Sequence, residues 1–592
     1  MAPYATILAL DTAEKECISN LKRLKELGAY GDYGFYESID FDVPSSVDLK
    51  PYCIVKSYMA HHQGMNLAAI NNYLNEGILK ERFHAEMMIK ATEVLLEEKR
   101  QSYLISIAKQ GYTIKIGKPL FTEDRYNNRY INRTGLTTPI VNYLSNGKYS
   151  LMITSDGDGF SQYEDRMLYR WRSDVYANTG NYIYIKDKKQ GKYWSAAYHP
   201  TRIEPEEYHV IFSPHQAEFK RKDGDISTNM IVSLNADRNF EIRKVTLTND
   251  GNEEKQLEVT SYMEVVDDTH MAEISHPAFN KLFLESEYVK EQNIFLAKRR
   301  QKNEAGNPYV MHMIKTDEKR CKKVEFENDR KRFIGRNNTL ENPDCVVNSI
   351  AFFNDPGFCN DPIMSIRVQL CIGAGESASL TFITGVCSGR EEAVKIAEEL
   401  NVSYRIDDLL EKFRLQSNLE LKYLEITKTQ LNSFQDMISP IFYPCSIFRG
   451  PHENIRRNFK NQSFLWKFGI SGDNPILLFV ARSIEEERII KDVLKAYEYL
   501  RVNLVTVDLV ILVDSKYGYL QEVDQLINDL TSSLRIYDSG SGKTSFFTLH
   551  TYELLPAEID LLYTVARVVF SEKTGIYFTK RKENQLELLE EY

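Results

Sequence analysis

The 592-residue sequence predicts a multidomain α+β protein: partial α/α toroid hairpins, a large antiparallel β-sandwich, then C-terminal helices and a small α/β domain. Two observations carry this prediction. Apolar residues recur with the period of a helix up to about residue 106, with a period of two from about 107 to 392, and in alternating helix and strand runs from about 393 to 592. The chain is also too long for one ordinary core, so each regime can bury an interior of its own.

In the first regime Cys17, Ile18, Leu21, Leu24 and Leu27 fall on one helix face, with Asp11 and Glu14 reading as an N-cap signal and Gly28 as the stop. Further helices are expected over Ile54–Leu74 and Glu81–Glu98. Aromatic and acidic residues in the intervening loops suit toroid hairpins, and a plain helical bundle fits the pattern equally. In the second regime strands are expected at Tyr149–Thr154, Tyr182–Lys186, Tyr193–Tyr198, His209–Phe212, Ala217–Lys220, Phe240–Thr248, Leu257–Val266, Met364–Ile372 and Ser379–Val386. Asn-Gly, Asp-Gly and Pro-bearing turns separate them. So many strands exceed an immunoglobulin-sized module and imply one extended double sheet. In the third regime, helices over Arg390–Asn401 and Leu415–Ile438 lead to strands Pro475–Ala481, Val507–Val513 and Ser545–Thr551, interleaved with helices at Ile484–Arg501, Leu520–Leu534 and Pro556–Val569. Gly540-Ser541-Gly542-Lys543 lacks the first Gly of a Walker loop and no strand runs into it, so phosphate binding is not expected there.

Composition excludes several classes of function. A net charge of −10 leaves no basic face for phosphates, which argues against a nucleic-acid partner; Lys298-Arg299-Arg300 and Arg456-Arg457 read as solvated surface. No run approaches the length of a membrane span, and the apolar start Met1 to Leu10 lacks a basic flank and a cleavage site. It reads as the middle of a buried element. Eight scattered cysteines without a Cys-x-x-Cys pair, and without His at ligand spacing, imply a reduced cytoplasmic setting and no metal site. No cofactor is expected.

Tyr33-Gly34-Phe35-Tyr36-Glu37-Ser38-Ile39-Asp40-Phe41 and Tyr58-Met59-Ala60-His61-His62-Gln63-Gly64-Met65 carry the chemistry. A Glu among aromatics, a near Asp and a later His-His-Gln supply what a carbohydrate cleft needs: a carboxylate for the anomeric carbon, apolar ring faces, and polar groups for hydroxyls. Tyr36 and Phe35 suit either sugar stacking or core. His61, His62 and Gln63 suit either sugar hydroxyls or the polar cap of a helix N-terminus. Trp171, Trp194 and Trp466 are the three tryptophans, and those of the sandwich are expected to be buried more than sugar-facing.

Three blocks together resemble the cyclic β-1,2-glucan synthases, large bacterial polymerases. The first is Ala2-Pro3-Tyr4-Ala5-Thr6 with Tyr33 to Phe41, Tyr58 to Met65 and Arg82-Phe83-His84, which is similar to the C-terminal end of the family's glucoamylase-like domain. The second comprises Leu144 to Ser150, Gly157 to Ser161, Arg170-Trp171-Arg172 and His276-Pro277-Ala278-Phe279. It resembles the first sandwich unit, a supersandwich of the glycoside hydrolase family 94 type, formerly glycosyltransferase family 36. The third, Gln462 to Trp466 and Gly469 to Pro475, resembles the phrase at which that sandwich hands over to the next domain.

The resemblance implies domains at 1–106 (glucoamylase-like), 107–392 (carbohydrate-binding supersandwich) and 393–592 (linker helices and α/β domain). It implies a retaining transglycosylase in which Glu37 matches the nucleophile, with Tyr36, Asp40, His61, His62 and Gln63 contacting glucose units. The acid/base partner belongs to an upstream Gly-Ile-Ser-Glu-like phrase that this sequence does not contain, and Asp473 corresponds to no catalytic position and reads as a structural turn. The chain is therefore expected to be a fragment of a glycosyl-transferring, β-1,2-glucan-processing enzyme, inactive alone, with β-1,2-glucan or glucooligosaccharide as ligand. In such an incomplete toroid, faces such as that of Leu21, Leu24 and Leu27 lack their usual neighbours. A separately encoded front half of the synthase is a further implied partner, and association with a membrane synthase complex is compatible with the absence of a membrane segment in the chain itself. A non-catalytic glucan-binding or scaffold subunit that complements a separate catalytic half is the alternative.

Overall fold

The computed structural model describes residues 2–41, 51–85, 126–300, 308–316, 320–357, 359–402, 406–514, 520–533 and 545–571. These fall into two units, residues 1–107 and 108–592.

The first unit has helices α1 (Pro3–Leu8), α2 (Glu14–Glu26), α3 (Ala60–Leu74) and α4 (Ile78–Ala85), with short strands β1 (Tyr30–Gly31), β2 (Gly34–Phe35), β3 (Ser38–Asp40) and β4 (Cys53–Val55). Leu24, Ala29 and Ile39 form its small core, with Leu21, Leu27, Phe35, Tyr52 and Ile54 against it. The face of α2 is thus covered by the paired strands β3 and β4, contrary to expectation. Asp11 is not the cap of α2: the N-cap is Ala13 with no side-chain bond, and Asp11 pairs with Lys80 at 2.5 Å. Gly28, at φ 92°, does close that helix, in a left-handed turn that a Cβ would strain. The expected helix over Ile54–Leu74 starts only at Ala60, because Cys53–Val55 is taken up by β4. Beyond Ala85 the expected third helix lies outside the described residues.

In the second unit the described residues of the period-two segment form eighteen strands. In chain order they are β5 (Arg129–Ile131), β6 (Val141–Ser145), β7 (Tyr149–Thr154), β8 (Gly159–Tyr163), β9 (Arg166–Tyr169), β10 (Asn181–Asp187), β11 (Tyr193–Ser195), β12 (Glu207–Ser213), β13 (Gln216–Asp223) and β14 (Ile226–Leu234). Next come β15 (Phe240–Asn249), β16 (Lys255–Asp268), β17 (Leu284–Val289), β18 (Ile294–Arg299), β19 (Tyr309–Thr316), β20 (Cys321–Asp329), β21 (Pro362–Ile372) and β22 (Ser377–Cys387). They make two nine-stranded sheets. One runs β11-β10-β16-β9-β8-β7-β6 with β21 and β20 alongside β16, and the other runs β17-β18-β19-β22-β15-β14-β13-β12-β5. All their pairings are antiparallel. β10 is buried along its whole length. Tyr182 and Tyr184 on its outer face pack against Phe333, Ile334, Cys345 and Val346 from short helical turns, so both faces of this sheet are covered there.

Between the sheets runs a polar seam. Glu241 and Arg243 on β15 point inward, and Arg243 Nε donates to Glu241 Oε1 at 2.8 Å. The facing sheet supplies the remaining donors to this carboxylate: Asn181 Nδ2 at 2.9 Å, Tyr169 Oη at 3.3 Å, Tyr149 Oη at 3.4 Å, and Ser161 Oγ. Arg243 Nη1 returns a bond to Asn181 O at 2.6 Å. Beside it, His312 on β19 bridges Ser261 of β16 and Thr384 of β22, each at 2.8 Å. Burial, followed by the Glu241 charge, pushes the Tyr149 and Tyr169 phenols up, so they remain protonated donors.

Directly after the last sandwich strand come α5 (Arg390–Val402), α6 (Ile406–Tyr423) and α7 (Lys428–Phe442). The single helix expected over Leu415–Ile438 is therefore two. Glu425, at φ 51°, breaks it, and Thr427 restarts it with a capping box to Gln430. α7 docks on the sandwich, where Gln435 Nε2 donates to Tyr143 O at 3.3 Å and Asp436 pairs with Arg129. The closing α/β layer has parallel strands β23 (Ile476–Ala481), β24 (Asp508–Val513), β25 (Phe546–His550) and β26 (Ala566–Ser571) in the order β25-β24-β23-β26. α8 (Glu487–Val502), α9 (Leu520–Ser533) and α10 (Pro556–Val565) connect them. The helix expected to reach Val569 stops at Val565, and the apolar run after it is the fourth strand.

The seam generates two expected outcomes. Arg243→Met leaves the Glu241 carboxylate buried without its cation and should cost about 3–5 kcal/mol in urea unfolding monitored by tryptophan fluorescence. Burial, then the Arg243 charge, depresses His312 from 6.5 to about 3. The unfolded chain binds the proton that folded His312 refuses, so this contribution is complete above pH 6.5 and is lost as pH falls toward about 3. A pH series of unfolding midpoints should show His312→Gln losing less stability than the native chain across that window.

Candidate functional site

Glu37 sits in the two-residue link between β2 and β3. Backbone bonds clamp that link: Tyr36 N donates to Ala29 O at 2.9 Å and Glu37 N to Ser57 O at 3.0 Å. The Tyr36 ring is held against Tyr58, centroids 5.2 Å apart. Both crowd onto Gly31, where a Cβ would stand 2.5 Å from the Tyr36 ring and 2.6 Å from the Tyr58 hydroxyl, so a larger residue would have to push the two rings aside. Tyr33, 85% exposed, meets Tyr58 edge-on.

The first turn of α3 brings His62 to this carboxylate. His62 Nδ1 lies 2.6 Å from Glu37 Oε1, and Tyr4 of α1 stacks on the imidazole with centroids 3.8 Å apart and planes within 10°. Two neighbours therefore fix the ring, and the ring fixes one carboxylate oxygen. The other, Glu37 Oε2, is buried with no hydrogen-bond partner. One turn further along the same face of α3, Asn66 is 7% exposed. It donates to Gln63 Oε1 at 3.4 Å and leaves its own Oδ1 buried and unmatched. Two buried acceptors without donors, in a unit this small, are what a hydroxyl-rich ligand would satisfy.

The structure thus brings Glu37, Tyr36 and His62 together, with Gln63 on the same turn of α3. Asp40 is placed on β3, half-buried and opposite Cys53. His61 is exposed, its ring 5.4 Å from that of His62. His61, His62 and Gln63 do form a helix N-terminus, in the first turn of α3, but the N-cap residue is Met59 and makes no side-chain bond. Sequence reasoning missed Tyr4 and Asn66 as parts of this arrangement. The i, i+4 spacing of His62 and Asn66 was the available signal for the second; nothing in the spacing announces Tyr4.

Elsewhere, Trp171 and Trp194 are buried in the sandwich, and Trp466 is half-buried with Nε1 donating to Ser471 O at 3.2 Å. Asp473 closes a turn: its amide donates to Ser471 Oγ at 3.2 Å and its carboxylate accepts from Gln462 Nε2 at 3.3 Å. Gly540 to Lys543 lie outside the described residues. Among the described residues no group of three or more His, Cys, Asp or Glu is arranged to hold a metal, and no helix is long and apolar enough to cross a membrane.

If Tyr4 holds the imidazole, its ring current should shift the His62 ring protons upfield in proton–carbon NMR spectra. Tyr4→Leu should return those signals toward free-histidine positions, and signals that do not move would show that the stack does not form.

Residues 124–402 match the family described as glycosyl hydrolase 94, supersandwich domain, and residues 1–87 match the Glycoamylase family, described as a glucoamylase. The chain is 31% identical over 584 residues to the cyclic beta-(1,2)-glucan synthase NdvB of Rhizobium meliloti (strain 1021), covering 97% of this chain and 20% of that protein. It is 23% identical over 286 residues to solabiose phosphorylase of Paenibacillus borealis, covering 46% of this chain and 36% of the phosphorylase. Against N,N'-diacetylchitobiose phosphorylase of Vibrio proteolyticus the identity is 20% over 288 residues, covering 46% of this chain and 34% of that protein. The chain spans only a fifth of the synthase's length and about a third of each phosphorylase's. Residues 1–87 and 124–402 are thus similar to the glucoamylase-like and glycosyl hydrolase 94 supersandwich families, and the resemblance to cyclic β-(1,2)-glucan synthase extends along nearly the whole chain.

Proposed function

We propose that this chain takes part in glycosyl transfer on β-1,2-glucan, with Glu37 as the carboxylate that attacks the anomeric carbon. The observation that carries the reading is the asymmetry of that carboxylate: Oε1 is held by His62, while Oε2 is buried and committed to no donor. A carboxylate oriented through one oxygen presents the other in a fixed direction, which is what a nucleophile attacking a sugar carbon requires. In this reading His62 positions Glu37, Tyr4 positions His62, and Tyr36, Asp40, His61 and Gln63 meet sugar hydroxyls and ring faces.

A retaining reaction needs a second carboxyl about 5–5.5 Å from the first, to protonate the departing oxygen and later deprotonate the acceptor hydroxyl. The phrase that carries it in the synthases is absent from these residues, so we assign it to polypeptide other than these 592 residues, such as a separately encoded front half. Leu67, Ile70 and Leu74 on one face of α3, at 70%, 37% and 70% exposure, supply an apolar surface suited to such a partner. Eight free cysteines support a reducing, cytoplasmic setting.

The test uses linear β-1,2-glucooligosaccharides with products read by chromatography. The chain alone should give neither transfer products nor, with phosphate, glucose 1-phosphate. Supplied with the polypeptide that carries the missing acid/base, it should give transglycosylation. Glu37→Gln should abolish that activity, and His62→Ala should lower kcat by about 10²-fold with little change in KM, since it misdirects rather than removes the nucleophile. Full activity of Glu37→Gln in the complemented mixture would make Glu37 a structural carboxylate and end this reading.

A further inference from the structure

The outer face of the second sheet changes character along its strands. Toward one end, Phe240 and Ile242 of β15, Ile383 of β22 and Met313 of β19 pack beneath Ala393, Ile396 and Leu409 of α5 and α6. Toward the other end the same face carries polar side chains in register, and among the described residues the cavity there is lined by strand residues alone. His209, Lys220, Asn229 and Thr246 stand opposite one another across β12 to β15. Glu207, Lys222, Ser227 and Thr248 form the next row. These rows line a cavity of about 280 Å³, near the lower end of the range for small-ligand clefts.

Three features set this face apart from a merely solvated sheet. Asn229 Nδ2 donates to Glu218 Oε1 at 3.1 Å, which fixes the amide, and its Oδ1 is left buried with no donor at the floor of the cavity. A buried acceptor costs stability until a donor reaches it. Of the charged groups lining the cavity, Arg221 is paired with Asp223 and Glu207 stands against Lys220 and Lys222, so no cluster of carboxylates is present among the described residues there to favour a divalent cation. Finally, Tyr130 on edge strand β5 stands opposite Ile211 of β12, on the same face, and is 75% exposed. An exposed ring at the sheet edge, outside the cavity lining but on the same face as its hydroxyl, amide and ammonium groups, matches the two-sided chemistry of a sugar, with its apolar C–H face and hydroxyl rim.

We infer that this polar half of the sheet is an oligosaccharide-binding groove, separate from Glu37, with the Tyr130 ring stacking on a sugar unit and Asn229 Oδ1 accepting from a sugar hydroxyl. The choice of a glucan as occupant rests on the function proposed above; the groove itself rests on the sheet. It would hold a chain being processed without taking part in bond making.

Isothermal titration of the full chain with linear β-1,2-glucohexaose, with maltohexaose in parallel, tests this. Saturable binding of the β-1,2-linked ligand is expected, weakened at least tenfold in Asn229→Ala and in Tyr130→Ala, with circular dichroism and the unfolding midpoint unchanged. Tyr130 is so exposed that its replacement leaves the fold intact even if Asn229→Ala does not. Binding of maltohexaose alone, with the same sensitivity to both variants, would keep the groove and overturn the assignment of a β-1,2-linked occupant. No saturable binding of either sugar, or binding that survives both replacements, would overturn the groove, while leaving the role of Glu37 to be judged by transfer activity.

Discussion

The Glu241–Arg243 pair between the two large sheets is the constraint on which the sandwich depends. Burying two ions is unfavourable unless every lone pair and proton finds a partner, and here the partners come from the opposite sheet: Asn181, Tyr169, Tyr149 and Ser161. A one-residue slip of β15 against β14 or β22 would turn Glu241 and Arg243 to the outer face and leave those donors stranded. The seam therefore fixes register in a way that apolar residues alone, which tolerate sliding and repacking, do not. His312 repeats the device next door, kept neutral by burial and bonded across to Ser261.

Fixed register is also what sorts the outer face of the same sheet. Inward positions alternate with outward ones, so once Glu241 points in, Phe240 and Ile242 point out under helices, and Thr246 and Thr248 point out into an open groove. One sheet thus serves a buried ionic seam, a helix-packing surface and a polar cavity.

Much of this fold was legible in the sequence, because the alternation of apolar residues over β12 to β15 survives into the structure as alternating burial. What was not legible has physical causes. A short run such as Ala566–Phe570, apolar except for Arg567, shows no strand alternation, so it reads as the tail of a helix when it is a parallel strand. The break between α6 and α7 rests on a left-handed Glu425 and a capping box in the middle of continuous helical periodicity. Asp11 satisfied the local rule for a cap, and a tertiary ion pair with Lys80, 69 residues away, took it instead. At the site, residue types pointed to Glu37 and to the His61-His62-Gln63 phrase, but only the fold separates exposed His61 from the His62 that bonds Glu37. The contact joins residues 25 apart, and the stack of Tyr4 on His62 joins two helices, so neither leaves a signature in local spacing.

The proposed role of Glu37 is a bond from its Oε2 to sugar. Acid quench of the complemented enzyme during turnover of linear β-1,2-glucooligosaccharides, then proteolysis and mass spectrometry, probes that bond itself. A glycosyl adduct is expected on the peptide spanning Tyr33 to Phe41, localised to Glu37 by fragmentation. An adduct on another carboxylate, with Glu37 unmodified during productive transfer, would contradict that role.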